Sequence, residues 1–486
     1  MRRILPLTLP LTLLTVLATF ALPTAVGAAT TCSFDDATGI VSVGIDGTST
    51  SIGAVAGAIT VNGVACEAAT TQTTETIEVS VSAPVGAITI DLSGGPLAPG
   101  DTNEADGSSE IEIEITGASF GLVVTGKTSA DLIGLGADAD TPAVGAVNLN
   151  ENESVWDADV TFDIADLVSA DLQLGGGADV YSAALGSAGE LDPIVDRPIT
   201  VTAGAGPDTM AAHVGGVFDG GDAGDTLDLS WMGDGCRAVI SNGPAAGIDS
   251  SVSGCAADPN GAFETTFVES IIGTGGGDAF FGATWAEQFW GTGGNDLFAP
   301  WLGNDAINGG PGQDRLVAES DNSKRFTFDL TAKTLTGQGT DTFGGVEQLY
   351  STSDGADTFE GNPGKWLRFV SGGGGANILD LSDGSHGFEV RTQATSEPDG
   401  LEPGRIGAQG VIVFGSRFAD VIAGDPGAFP SGHDEFRGLG GADRLSGGAG
   451  SDDLFGGAGN DRLQGGAGSD TCDGGSGTDT LSGCEN

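Results

Sequence analysis

The sequence predicts an all-β protein, a parallel β-roll or β-helix solenoid preceded by a β-rich N-terminal domain. Three observations carry that expectation. From Gly438 to Ser482 the chain repeats Gly-Gly-x-Gly-x-Asp-x-U-x, with U bulky and apolar, five times without slipping. Residues 273–317 keep the same nine-residue clock with more departures. Upstream, "GIVSVGID", "ETIEVSVS", "GAITIDLS" and "SEIEIEITG" alternate apolar and polar residues, as half-buried strands do, and no segment holds a long helical period.

Taken from the N-terminus, Arg2 and Arg3 precede an apolar run from Ile4 to about Leu22, followed by Val26, Gly27 and Ala28. That order is expected of a secretory signal peptide over residues 1–28. No later stretch is long and apolar enough to predict a membrane span. The cysteines of an exported chain favour disulfides, and here they fall in sequence-local pairs: Cys32 with Cys66, Cys236 with Cys255, Cys472 with Cys484. The formal charge of −51 repels nucleic acid and anionic lipid, so neither is an expected partner.

Residues 29–125 are expected to form the β-rich N-terminal domain. Residues 126–265 and 321–430 read as worn solenoid, with isolated echoes of the motif. These are Asp179 with Tyr181, Asp208 with Met210, Asp225 with Leu227, Asp357 with Phe359 and Asp420 with Ile422. Each lacks a neighbouring copy on the clock, so its Asp is expected to hydrogen-bond its own turn. The regular blocks are 266–320 and 431–486.

Each nonapeptide should give a six-residue turn and a three-residue strand with one inward side chain. One such residue cannot bury a core alone, but stacked coils can. If two nonapeptides make one coil, Asp434, Asp452 and Asp470 line one edge, and Asp443, Asp461 and Asp479 the other. In the first block Asp278, Asp296 and Asp314 share an edge. Asp305 lies opposite them with Glu287, whose turn "GATWAEQFW" lacks the glycines. Between two stacked turns, Asp carboxylates and bare backbone carbonyls face a common space. That all-oxygen set suits several Ca²⁺ ions better than Mg²⁺, which dehydrates reluctantly.

The repeat resembles the RTX family of secreted calcium-binding β-rolls. The alternating head is similar to the N-terminal segment of secreted bacterial calcium-binding repeat proteins. The resemblance implies an extracellular calcium-binding protein with a structural or adhesive role, meeting a cell surface or extracellular matrix. RTX rolls also trail proteases, lipases and epimerases. With histidines only at 213, 386 and 433, no His-Glu-x-x-His zinc site occurs, and no Gly-x-Ser-x-Gly elbow has partners. No catalytic residue is therefore assigned. The alternative left open is a secreted β-helical carbohydrate-active enzyme (lyase, hydrolase or epimerase) with structural calcium. Trp285, Trp290 and Trp301 are expected to cap the core.

Overall fold

The computed structural model describes residues 30–97, 111–138, 142–149, 159–182, 191–192, 197–211, 216–222, 224–230, 237–239, 250–255, 258–266, 268–319, 324–352, 355–362, 368–371, 376–392, 405–406, 410–424 and 432–485. The expected signal segment, residues 1–28, lies outside them, as does Cys236 of the expected Cys236–Cys255 pair. Among the described residues the regular elements are strands, and most pair in parallel.

The coil begins near residue 40. On one side Ile40–Asp46, Thr76–Ala83, Glu112–Gly117 and Val160–Asp163 pair in succession, all parallel. On the other, Thr50–Val55, Ile88–Asp91, Phe120–Thr125, Leu167–Gln173, Ile199–Ala205 and Gly216–Asp222 do the same. Parallel pairing thus runs straight across residue 125. Antiparallel additions flank the coil at the start, where Thr31–Asp35 lies on Ile40–Asp46 and Ala58–Val61 joins Thr50–Val55 to Val64–Thr70, and recur further along, as where Thr334–Thr336 lies between Thr327–Asp329 and Thr340–Gly344. Cys32 and Cys66 bridge these additions with their Cα atoms 5.7 Å apart.

The worn segment continues the ladder. Leu132–Asp138, Val180–Ser182, Thr209–Ala211, Thr226–Asp228, Ser270–Ile272, Gln288–Trp290 and Ala306–Asn308 follow one another in parallel register. In the last roll, Glu435–Arg437, Asp453–Phe455 and Thr471–Asp473 stack on one side. Arg444–Gly450, Arg462–Gly468 and Thr480–Ser482 stack on the other. Partners in this roll are two nonapeptides apart, so two repeats make one coil.

The eighth position of each repeat points inward. Phe280, Phe289, Phe298, Ile307 and Leu316 are buried in the first block, and Phe436, Leu445, Leu454, Leu463 and Cys472 in the last. Each fully buried side chain of this size contributes about 1.5–3 kcal/mol. Equivalent residues meet face to face one coil apart: Phe280 stacks on Phe298 with ring centroids 5.0 Å apart. Two expectations of burial fail. Leu481, in the final strand, is 40% exposed, because no further coil covers it. Of Trp285, Trp290 and Trp301, the first packs on the core, whereas the other two are 43% and 50% exposed. Trp290 occupies the outward ninth position, and Trp301 stands in a turn with φ of 63°.

Candidate cation-binding site

The turns owe their shape to glycine at the second and fourth positions. Gly457 and Gly459 have φ of 102° and 151°, a region that L side chains rarely enter. A Cβ on Gly459 would also run into the Gly441 carbonyl of the coil below. Stacked turns are joined at the third position. Gly459 donates its N–H to the Ser476 carbonyl at 2.8 Å, and Ser476 donates to the Gly457 carbonyl at 2.7 Å.

The sixth-position acids form a ladder. One carboxylate oxygen of each accepts the backbone N–H of the acid one coil earlier. Asp434 N–H reaches Asp452 Oδ1 at 3.0 Å, Asp452 reaches Asp470 at 2.9 Å, Asp443 reaches Asp461 at 2.9 Å, and Asp461 reaches Asp479 at 3.0 Å. In the first block Asp278 donates to Asp296 and Asp296 to Asp314, both at 2.8 Å. On its other edge Glu287 donates to Asp305, also at 2.8 Å. All ten candidate aspartates therefore stand on the stacked edges that the spacing anticipates.

The second oxygen decides what the site can do. Oδ2 of Asp296, Asp305, Asp314, Asp443, Asp452, Asp461 and Asp470 is buried without a hydrogen-bond partner. Asp278 differs, because the Thr274 N–H and hydroxyl take its Oδ2 at 2.7 and 3.1 Å. An unpaired buried carboxylate is costly, so it takes up a proton or needs a cation. Burial, followed by neighbouring carboxylates, pushes Asp443 up to about 7. Asp296 is likewise pushed to about 7, burial being the leading cause. Burial raises Asp314 and Asp452 as well. Glu287 is also raised, by burial and then by the Asp305 charge.

Backbone oxygens complete the surroundings. A Cβ on Gly456 would lie 2.6 Å from the Gly474 carbonyl oxygen and 2.7 Å from Asp461 Oδ2. On Gly447 it would lie 2.5 Å from Asp452 Oδ2 and 2.6 Å from the Gly465 carbonyl. The space over Gly291, Gly309, Gly438, Gly447, Gly456 and Gly465 is thus lined by an orphaned carboxylate oxygen and the next coil's carbonyl. Among the described residues no three His, Cys, Asp or Glu side chains converge as a metal centre. The donor set is carboxylate plus backbone, a fit for a hard cation of calcium size.

Comparison with family models matches the RTX calcium-binding nonapeptide repeat in four copies, over residues 290–323, 431–463 and 446–481. The chain carries RTX repeats. No curated protein matches it. The matched RTX segments begin at 290, after the turn of Glu287 that lacks the glycines.

The RTX ladder also extends where the spacing gave no warning. The echoes at Asp179, Asp208 and Asp225 do have partners in register, contrary to expectation. Asp131 donates its N–H to Asp179 Oδ1 at 2.7 Å, Asp179 to Asp208 at 2.8 Å, and Asp208 to Asp225 at 2.9 Å. Their strands set the register even though the intervening loops differ in length. Asp357 likewise accepts from Phe326 in a neighbouring coil. Asp420 does both: it accepts from Phe388 N–H across the coil and from Ser416 N–H of its own turn, each at 2.6 Å.

Other acids close the ladder where the RTX clock breaks. Glu269, Glu347 and Glu485 accept the N–H of Asp225, Asp314 and Asp470 at 2.9, 3.0 and 2.7 Å. Asp341 does so for Asp305, and Asn377 for Asp357. The signal in the sequence was the Val-Glu step shared by "FVES" and "GVEQL". Beside Glu485, Cys472 and Cys484 form a disulfide with Cα atoms 5.8 Å apart. No helix among the described residues is long and apolar enough to cross a membrane.

Proposed function

We propose that this chain is an exported extracellular protein whose RTX rolls bind several Ca²⁺ ions as structural cement, with a structural or adhesive role at a cell surface or in an extracellular matrix. The ligands in this reading are Asp434, Asp443, Asp452, Asp461, Asp470 and Asp479 in the last roll, and Asp278, Asp296, Asp305 and Asp314 in the first. The observation that carries it is the row of buried carboxylate oxygens without hydrogen-bond partners, those of Asp296, Asp314, Asp443, Asp452, Asp461 and Asp470 lying beside a backbone carbonyl of the next coil. Bound calcium supplies the positive charge that this row lacks. Export is supported by the RTX repeats and by the disulfides, which persist in oxidising compartments.

The test is calcium titration of the full chain, followed by circular dichroism and calorimetry. Extracellular modules of this kind bind at about 10⁻⁴–10⁻³ M. In the Asp452→Asn, Asp461→Asn double variant, each Asn keeps the oxygen that accepts the ladder N–H and loses the orphaned one. It should bind fewer ions with weaker cooperativity. Unchanged binding would overturn the assignment. For the adhesive role, calcium-loaded protein should bind cells or matrix and EDTA-treated protein should not.

A further inference from the structure

The last roll is charged differently on its two outer faces. Arg444 and Arg462 stand beside one another on paired strands, both exposed, in an outward row that Val421 and Thr480 continue. Paired strands lie about 4.8 Å apart, so two like charges placed this way repel. Among the described residues neither guanidinium has an ion-pair or hydrogen-bond partner. The nearest acid in the row, Glu389, lies two strands from Arg444, beyond Val421. The sequence holds 68 acids and 17 bases, so an arginine pair left without a carboxylate runs against its composition.

The opposite face carries the complement. Its outward positions hold Glu435, Asp453 and Asp473 against one base, Arg437. Glu435 is ion-paired with Arg437, whose guanidinium also lies over the Phe455 and Phe414 rings at 4.6 and 5.7 Å. That base is thus held along its own sheet and leaves Asp453 and Asp473 uncompensated. Asp453 lies 3.4 Å from the His433 ring, and Asp473 accepts the Gly475 N–H at 3.0 Å. The two outer faces therefore present opposite charge on the same strand spacing.

We infer that the last rolls of two copies of this chain dock face to face, Arg444 and Arg462 of one copy against Asp453 and Asp473 of the next. A guanidinium presents a rigid fork of N–H donors that a carboxylate accepts in two parallel bonds. The two patches differ, so each copy keeps one face free, and the contact builds a ring or an open file rather than a two-fold pair. Exposed ion pairs contribute little singly, so one contact is weak and calls for a high local concentration. The chain's general negative charge opposes docking only at short range, because salt screens it beyond about 8 Å at physiological strength. The inference goes beyond the calcium reading and requires only that the roll be folded.

The test is sedimentation of the full chain in calcium at low and at physiological salt. The sedimenting mass should rise with protein concentration, and added salt should lower it. Arg444→Glu with Arg462→Glu makes both faces acidic, and Asp453→Arg with Asp473→Arg makes both basic on balance. Each double variant alone should need about tenfold more protein to associate. Arg444→Gln with Arg462→Gln, which keeps the side-chain bulk, should shift association the same way and decides the matter if a reversed chain fails to fold. Equimolar mixing of the two reversed variants should restore association, since their faces match across copies. Both chains stay strongly acidic overall, so general attraction would not bring them together. A natural chain that remains monomeric up to about 1 mM, or variants that associate as it does, would overturn the docking. So would a mixture no better than its components when circular dichroism shows both folded. If the arginine face takes polygalacturonate while copies ignore one another, its occupant is an acidic polysaccharide and the inference falls. Assembly that persists in EDTA would leave the docking standing and count against the calcium reading.

Discussion

Gly456→Ala is the sharpest probe of the cation cradle. Gly456 does not have positive φ, so an alanine there meets no backbone strain and acts only through its methyl group. That methyl would lie 2.6 Å from the Gly474 carbonyl oxygen and 2.7 Å from Asp461 Oδ2. Each oxygen must retreat by about 0.7 Å to reach ordinary contact. Overpacking of this kind costs about 1–3 kcal/mol. Both displaced atoms are proposed calcium donors, so that cost falls on the bound state and weakens affinity about 10- to 100-fold. Gly432→Ala is the control within the same roll, since its Cβ would meet nothing within 4 Å. The assay is amide exchange across residues 453–482 of the full chain, read as a function of calcium concentration. Protection in Gly456→Ala should require correspondingly more calcium, and Gly432→Ala should titrate like the natural chain. A Gly456→Ala midpoint equal to that of Gly432→Ala would refute the cradle.

Three further outcomes are expected. Asp443 and Asp296 sit at about 7 in the ion-free fold, against 3.8 for an ordinary aspartate. Their stabilising contribution is therefore present below about pH 4 and lost as pH rises through about 7. In EDTA the melting temperature should fall between those values and calcium should restore it, so a flat or rising curve in EDTA would contradict the burial argument. Cys484→Ser removes a bridge with a sequence separation of 12, worth about 3 kcal/mol in chain entropy. It should raise the calcium concentration that protects residues 471–485; an unchanged midpoint would show that Glu485 alone holds the last coil. Leu439 occupies the second turn position with φ of 69°, a conformation that costs about 1–2 kcal/mol for a side chain. Leu439→Gly should raise the melting temperature by a few degrees, and a lower value would mean that its half-exposed side chain contributes more than its strain costs.

The regular part of this architecture was legible because a strict period leaves no choice. With partners two nonapeptides apart, Asp443 and Asp461 must share an edge, and Leu445 and Leu463 must share a core stripe. The ladder through Asp179 and Asp208 was hidden because it keeps spatial register without keeping count. Glu269 and Glu347 were hidden for a related reason: a longer side chain reaches the same amide from outside the six-residue turn. The tryptophans misled because bulk favours burial in general, whereas their places in the repeat decide the matter here. An outward ninth position exposes Trp290, and a second position of left-handed backbone exposes Trp301.

Each rung of the ladder is defined by an acid touching its neighbour's amide, so the chain between rungs is free to vary. Successive rungs are separated by 48, 29, 17 and 44 residues from Asp131 to Glu269, and by 18 between Glu287 and Asp305. Doubling a closed loop costs only about 0.6 kcal/mol, less than one ordinary hydrogen bond. Inserted sequence can therefore lengthen, shorten or change its chemistry between rungs while the pitch of the coil stays the same. The rungs act as a rail and the intervals as insertion points, so segments of very different length can be carried along this chain without the scaffold being rebuilt.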